Sequence, residues 1–575
     1  MSTHSPGTLD ATQEAVASAY PVTRQLVSAG PGAGKSHVVG ALTARLVENH
    51  NLYPEEILVV SFSRAAVDVV RERTAHLEDE GERVEVSTLD SLAARLLAES
   101  GHEGEFRGYE QQIAAAHDAL RDDPTLVEDY RHLVVDEAQD LVGVRARFVV
   151  ALLDALPDDA GFTVLGDPLQ ALYDFQVTKE EPLTSEEFLG GVRERSATVE
   201  HALTGEYRAR TPDIRRISAA RPDLMTMKGD ALLFAVEDLA ADLAPLGSLD
   251  VDAADDLSRW SGTTALLCDT NARAALVVDR LADLGLRVEL AAGLLDPGIA
   301  PWLATVLGTH PRTTIAHDDF VRGVQAADHP DPEAAWDDML RLAPGSGREL
   351  NIRAVSRRLG LRAVPRSLMR ERASPIVAST VHRAKGLEFD NVVLVDERHW
   401  TADGPESGAR RLFVALSRAR TRLTRATGVS VKGWSAHPRE PSDTLWTRRA
   451  PGGRGHIGVL VEAKHCRALG PADHDLTGFV GHAVTWRETD DHIDAEGRST
   501  PCWEALVDGT PVARTGVDFG AALSRLSYGG RRPTLQGGRV EGLETVVGAP
   551  RQHGPGSNGM WSGCRVVGAL DLVWT

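Results

Sequence analysis

The sequence predicts an α/β chain: two doubly wound parallel-sheet domains, the second carrying a helical insertion, followed by a small β-rich C-terminal domain. Three observations predict it. Short apolar runs alternate with helical patterns from Gln25 to about Leu172, and again from near His201. One such run enters a glycine-rich turn, Ser28 to Ser36, and another ends on the adjacent carboxylates Asp136 and Glu137. The composition then changes: six of the ten tryptophans lie beyond Gly428.

The first domain spans residues 1–200, with strands expected at Gln25 to Val27, Ile57 to Val60, Val84 to Val86, Leu133 to Val135 and Thr163 to Leu165. Residues 93–130 leave room for only a few short helices between its third and fourth strands. The second domain spans 201–430 and includes strands Thr264 to Leu267 and Val392 to Val395. Within it, residues 301–370 show helical periodicity without strand signals, as in Glu333 to Leu340 and Asn351 to Leu359. The acidic stretch Asp250 to Asp256 reads as a solvated loop. Proline, glycine, serine and basic residues make 431–455 a linker. In the remainder, 456–575, Trp503 to Val512 reads as a hairpin turning at Asp508-Gly509.

At 575 residues, the chain is too long for one core. Its 42% hydrophobic and 25% charged content is that of a water-soluble globular protein. A formal charge of -21 argues against a general polyanion binder, so any nucleic-acid contact needs a local basic channel supplied by arginine. The four cysteines, Cys268, Cys466, Cys502 and Cys564, are too scattered for a zinc or iron-sulfur site. The N-terminus lacks a signal-peptide profile and no apolar run could span a bilayer, which sets the expectation of a cytoplasmic protein without a membrane partner.

Ser28-Ala29-Gly30-Pro31-Gly32-Ala33-Gly34-Lys35-Ser36 follows a strand and opens a helix. That is the arrangement in which backbone amides wrap phosphates, a lysine reaches the terminal phosphates and a serine hydroxyl sits on magnesium. Ala29 stands where the strict pattern has glycine, but it is small enough for the same turn, and three glycines remain. Lysine is scarce, six in the whole chain, so Lys35 is not surface filler.

Further motifs follow in a fixed order. Leu9-Asp-Ala-Thr-Gln13 precedes the turn, Ser61-Phe-Ser-Arg-Ala-Ala66 follows the second strand, and Thr88-Leu-Asp-Ser-Leu92 the third. Then come Leu133-Val-Val-Asp-Glu-Ala-Gln-Asp140, Gly166-Asp-Pro-Leu-Gln-Ala-Leu-Tyr173, Glu206-Tyr-Arg208, Thr380-Val-His-Arg-Ala-Lys-Gly-Leu-Glu-Phe389 and Arg410-Arg-Leu-Phe-Val-Ala-Leu-Ser-Arg-Ala419. The series, from residue 9 to about 425, resembles the UvrD/Rep/PcrA-like helicases of superfamily 1.

The resemblance implies two RecA-like domains and assigns roles. Gln13 would bond adenine, residues Ala29 to Ser36 would cradle the phosphates, and Ser36 with Asp136 would hold Mg²⁺. Glu137 would be the base for the attacking water, and Gln170 would sense the γ-phosphate. Arg208 and Arg418 would act as arginine fingers, Tyr207 would stack on the base, and Glu388 would touch the ribose. Phe62, Arg64, Phe175 and His382 would contact single-stranded DNA, the rings accepting any base through its π face. ATP is the implied fuel, and the implied activity is translocation, 3′ to 5′, on single-stranded DNA or at single/double-strand junctions.

The chain departs from the pattern after Tyr173, where Asp174-Phe175-Gln176-Val177 replaces arginine, an aromatic, arginine and glycine. Its insertions are also short. Translocation is therefore expected more firmly than strand separation. A second reading is a DNA-stimulated ATPase switch that recruits a partner protein through the C-terminal domain, in defence or repair. A third is a nuclease fusion, because Val459-Leu-Val-Glu-Ala-Lys464 ends on Glu-x-Lys.

Overall fold

The computed structural model describes residues 8–61, 84–102, 106, 108–291, 298–343, 348–360, 364, 368–371, 374–396, 400, 404–440, 443–452, 455–470, 476–493, 499–526, 531–550 and 556–574. The chain divides into two compact units, one of residues 1–244, 384–392 and 397–424, the other of residues 245–383, 393–396 and 425–575.

The first sheet holds β1 (Arg24–Ala29), β2 (Ile57–Ser61), β3 (Glu85–Thr88), β4 (His132–Asp136), β5 (Gly161–Gly166) and β6 (Thr198–Leu203) in the order β3-β2-β4-β5-β1-β6. All of its pairs are parallel. Strands β2, β4 and β5 are buried throughout, as continuous apolar runs require when helices cover both faces. Helices Leu89–Glu99, Tyr109–Asp122 and Gly143–Ala155 pack one face, through residues such as Leu92, Ile113 and Phe148. Helix Lys35–Glu48 covers the other through Val38, Val39 and Leu42. In a parallel sheet the loops at the carboxyl ends of the strands carry the site, and here those after β1, β4 and β5 lie side by side.

Strand β6 was expected to open a second alternating block; it pairs instead with β1 and completes the first sheet. Residues up to 244 continue in the same unit, rather than leaving it at 200.

A second six-stranded sheet comprises β7 (Pro245–Ser248), β8 (Thr264–Cys268), β9 (Glu289–Leu290) and, beyond an insertion, three more strands. The insertion has helices His317–Ala326, Pro332–Leu342 and Ile352–Gly360 as expected, but also a short antiparallel pair, β10 (Thr314–Ala316) and β11 (Glu349–Asn351). Then follow β12 (Ile376–Thr380), β13 (Phe389–Val395) and β14 (Ala419–Thr427), giving the order β7-β14-β13-β8-β12-β9. The acidic stretch at 250–256 is not a loop: Asp250 caps helix Val251–Arg259, which buries Ala253, Ala254 and Leu257. Its carboxylates occupy the face opposite those apolar positions.

A nine-stranded sheet closes the chain, with β15 (Trp434–Glu440), β16 (Asp443–Arg449), β17 (His456–Val461), β18 (Cys466–Ala468), β19 (Ala483–Ile493), β20 (Ser499–Val507), β21 (Thr510–Thr515), β22 (Pro533–Val547) and β23 (Met560–Trp574). Its order is β15-β16-β17-β23-β22-β19-β20-β21-β18. Residues 431–455 are therefore no linker. They contribute β15 and β16, anchored by buried Leu445 and Thr447. The hairpin at Asp508-Gly509 is present, both residues having positive φ (49° and 80°) as a two-residue turn needs.

The β-rich part is also not freestanding. Within its unit, Met560 joins the insertion core of Phe320, Trp336 and Leu359. The Thr545 hydroxyl accepts from Ala304 N (2.9 Å) and donates to Ala300 O (2.6 Å). Glu541, buried, accepts from Leu290 N at 2.9 Å, tying the long β22–β23 hairpin to the edge of the second sheet.

Candidate active site

The phosphate-binding turn follows β1. Gly32 and Gly34 hold φ near +80°, which L side chains rarely adopt, and a Cβ on Gly34 would lie 2.6 Å from Gln13 Nε2. Gly34 caps helix Lys35–Glu48, so the helix N-terminus opens beside Lys35 and Ser36. Ala29 is buried at the end of β1, Pro31 and Ala33 are buried in the turn, and Ala33 N donates to Gly30 O. Gln13 is buried and committed to the turn itself: its Nε2 donates to Ala33 O (3.0 Å) and its Oε1 accepts from Asp10 N (3.1 Å).

Lys35 Nζ lies 2.9 Å from Glu137 Oε1. Burial alone would lower the Lys35 ammonium, but the Glu137 and Asp136 carboxylates outweigh it and hold it above its ordinary value. Burial would raise Glu137, and Lys35 reverses that, so this carboxylate stays ionised. Asp136 moves the other way, raised by burial and by the Glu137 charge. Glu137 has a left-handed backbone (φ 54°, ψ 40°), a conformation costing about 1–3 kcal/mol in a non-glycine residue, which the surroundings must hold in place. Fully buried Gln139 does so. Its Nε2 donates to Glu137 Oε2 while its Oε1 accepts from Asp167 N at 3.0 Å, joining the ends of β4 and β5.

From later in the chain, but in the same compact unit, come the arginines. Arg418, at 3% exposure, donates to Gln170 Oε1 (2.7 Å), Val414 O (3.0 Å) and Ser417 Oγ (3.0 Å). Burial first, and then the nearby Arg208 charge, pushes its guanidinium down to about 10. Arg208 donates to Ser417 O (2.9 Å) and pairs with Glu388. The second oxygen of Glu388 takes Arg420 Nε (2.9 Å) and Nη2 (2.7 Å). Tyr207 is exposed; its hydroxyl bonds Asp10 and its N–H donates to Gly32 O (2.9 Å).

Among the described residues no group of three or more His, Cys, Asp and Glu could hold a metal ion. Ser36 stands in the first turn of the helix after the glycine-rich turn and Asp136 at the end of β4, and their hydroxyl and carboxylate oxygens are donor types that magnesium takes alongside phosphate and water. Asp136 Oδ1 accepts from Glu137 N (2.9 Å), which fixes the carboxylate's orientation.

Residues 12–176 match the family model described as an AAA domain, and residues 375–424 match the UvrD-like helicase C-terminal domain. The two matches fall on the segments that bring Lys35, Glu137 and Gln170 together with Glu388 and Arg418. The matched segments are similar to UvrD/PcrA-like helicases of superfamily 1. It is 28% identical over 376 residues to the ATP-dependent DNA helicase UvrD2 of Mycobacterium tuberculosis, covering 57% of this chain and 52% of that protein. It is 40% identical over 78 residues to the ATP-dependent DNA helicase PcrA of Leuconostoc citreum, 13% of this chain and 10% of that protein. To the helicase SRS2 of Saccharomyces cerevisiae it is 32% identical over 96 residues, 16% of this chain and 8% of that one. The chain thus spans about half the length of UvrD2 and much less of the other two.

Phe175 projects into solvent at 65% exposure, on a single turn, Asp174–Gln176. His382, on the short helix Val381–Ala384, belongs to the other unit. Phe62 and Arg64 lie outside the described residues. Four further residues bear on the site without having been singled out. Gln139, Asp140 and Lys385 lie inside quoted motifs: buried Lys385 pairs with Asp140 and donates to Gln170 O. Arg221 lies outside every motif, yet its guanidinium holds fully buried Asp167 (3.0 and 3.1 Å) and Ser28 Oγ (2.8 Å) and packs against Gly30.

The Glu-x-Lys segment is otherwise engaged. Glu462 is buried and accepts from Arg383 at 2.9 Å, which lowers its carboxyl despite burial, and Lys464 lies 4.0 Å away. A carboxylate neutralised by a structural arginine is poorly suited to bind a nuclease metal. The four cysteines are free thiols, and among the described residues no helix is long and apolar enough to cross a membrane.

Proposed function

We propose that this chain is a DNA-stimulated ATPase that travels 3′ to 5′ along single-stranded DNA, acting in the cytoplasm in repair, replication or defence. The meeting of Lys35 and Glu137 with Gln170, Arg208 and Arg418 in one compact unit supports it most strongly. In this reading, the sheet of β1 to β6 and the sheet of β7 to β9 and β12 to β14 belong to the two motor lobes.

The chemistry is phosphoryl transfer to water, in which the protein acts by positioning and charge. Lys35 exchanges Glu137 for the β- and γ-phosphate oxygens, releasing Glu137 Oε1 to take a proton from the attacking water. Gln139 keeps the other carboxylate oxygen fixed. Ser36 and Asp136 would hold magnesium, which would supply positive charge against the phosphates. Arg208 and Arg418 cover the outer oxygens of the transferring group, Gln170 linking Arg418 to the strand ends. Gln13 and Tyr207 hold the adenine and Glu388 the ribose. Phe62, Arg64, Phe175 and His382 are the residues proposed to contact DNA. Nucleotide-dependent rearrangement of these groups then moves the strand.

Direction is tested with oligonucleotides labelled at one end and blocked at the other by streptavidin. Displacement of the block from the 5′ end but not the 3′ end, dependent on ATP, is expected. Displacement from the 3′ end alone would overturn the polarity.

A second reading is favoured by the short segment between Glu99 and Tyr130, which among its described residues holds one full α-helix, and by the large terminal sheet. In it the chain is a nucleotide switch whose terminal sheet recruits a protein partner. Robust unwinding of a tailed duplex by the chain alone would eliminate that version.

A further inference from the structure

Asp174 stands where the chain leaves the motif pattern, and its surroundings give the departure a use. Its Oδ2 accepts from Arg410 Nη1 at 2.8 Å, and its Oδ1 accepts from Ser185 N (3.1 Å) and Oγ (2.9 Å). Arg410 belongs to helix Pro405–Leu416 and is steadied by Glu406 one turn earlier (2.8 Å). That helix runs directly into Arg418, whose guanidinium holds Gln170 Oε1 at 2.7 Å. Gln170 and Asp174 lie four residues apart on one short segment, and the next residue is the exposed Phe175.

The segment is thus fastened at both ends to one rigid element. From Arg410 to the helix end at Leu416 is about 9 Å of rise, and Arg418 follows two residues later. A displacement of Phe175 cannot be absorbed locally, because Asp174 is gripped by Arg410 and by Ser185. It must be passed to the helix, and the helix ends at the finger.

We infer that Asp174 and Arg410 are positioning residues that couple base stacking at Phe175 to the placement of Arg418, so that single-stranded DNA accelerates hydrolysis through this ion pair. The inference rests on the motor reading above and specifies how DNA regulates that site. Neither residue is assigned a contact with nucleotide or DNA in that reading. The pair is mostly enclosed on the arginine side and partly on the aspartate side, so water weakens it only in part.

The test is a double-mutant cycle on the full chain with Asp174→Asn and Arg410→Gln, reading ATP turnover with and without oligo(dT), oligo(dT) affinity and melting temperature. Asparagine keeps an acceptor for Ser185, so the loop retains its anchor there. Each single variant is expected to lose ~10-fold or more of the DNA-stimulated rate, the loss a charged hydrogen bond would account for, with turnover without DNA unchanged. The double variant should lose no more than either single one, and Arg410→Lys should recover part of the stimulation. A fall in turnover without DNA that matches the fall in stimulated turnover would overturn the inference in favour of a structural pair, as would losses that multiply in the double variant. Normal stimulation in Asp174→Asn overturns it alone. A wild-type chain that DNA fails to stimulate overturns the motor reading itself.

Discussion

Arg418→Ala separates catalysis from stability in this site. At pH 7 the guanidinium is ionised both folded and unfolded, and burial pushes its folded value down to about 10 from an ordinary 12.5. At ~1.4 kcal/mol per pH unit, holding that charge inside disfavours the fold by about 3 kcal/mol, an effect that fades only as pH rises past 10. Alanine removes this penalty. It also leaves Gln170 Oε1 without its 2.7 Å donor, which costs about 1–3 kcal/mol for a buried acceptor. The terms oppose each other at similar size, so the melting temperature should move by no more than about 5 °C. Loss of an arginine finger, by contrast, lowers the rate by ~10³ or more, about 4 kcal/mol of transition-state stabilisation. The assay is steady-state turnover at saturating ATP and oligo(dT), with binding of a fluorescent ATP analogue alongside. A variant that binds the analogue but turns over within ~10-fold of wild type would refute the role given to Arg418.

Three other substitutions probe separate parts of the site. Glu137→Gln keeps the shape but not the base, so turnover should fall by ~10² to 10⁴ while the nucleotide analogue still binds; undiminished turnover excludes Glu137 as the base. Gly34→Ala places a Cβ 2.6 Å from Gln13 Nε2 on a backbone at φ 80°; nucleotide binding should be lost and stability lowered by about 1–3 kcal/mol, as read by titration and thermal melting. Normal ATP affinity there would contradict the turn's assignment. Phe175→Ala should weaken oligo(dT) binding by ~10- to 100-fold in fluorescence anisotropy without changing turnover in its absence, and unaltered affinity would remove Phe175 from the DNA contact.

The sequence makes the parallel core plain for a physical reason. A strand buried on both faces can carry only apolar side chains, so Ile57 to Val60 and Leu133 to Val135 announce themselves. Strand β6 does not, because it lies at the sheet edge with half its side chains exposed, and the pairing that assigns it to β1 is non-local. The β15–β16 hairpin was hidden by its prolines, serines and arginines, residues tolerated near a sheet edge but read along the chain as breakers. The helix Val251–Arg259 was masked by its carboxylates, though its Ala253, Ala254 and Leu257 spacing is helical.

Within the candidate site, Lys35, Glu137, Gln170, Arg208 and Arg418 were legible because phosphate chemistry imposes both their types and their motif spacing. What they touch was not. That Glu388, assigned to the ribose by resemblance, also spends both carboxylate oxygens on Arg208 and Arg420 is a tertiary fact. So is the grip of Arg221 on Asp167 and Ser28, which no local pattern around residue 221 signals.

ATP turnover by the intact chain, measured with and without oligo(dT) and in parallel for Glu137→Gln, is the most direct measurement. Hydrolysis that rises at least ~10-fold with DNA and disappears in the variant is predicted for a motor whose fuel site is formed by Lys35, Glu137, Arg208 and Arg418. Turnover that is absent, indifferent to DNA, or unaffected by the loss of the Glu137 carboxylate would contradict it.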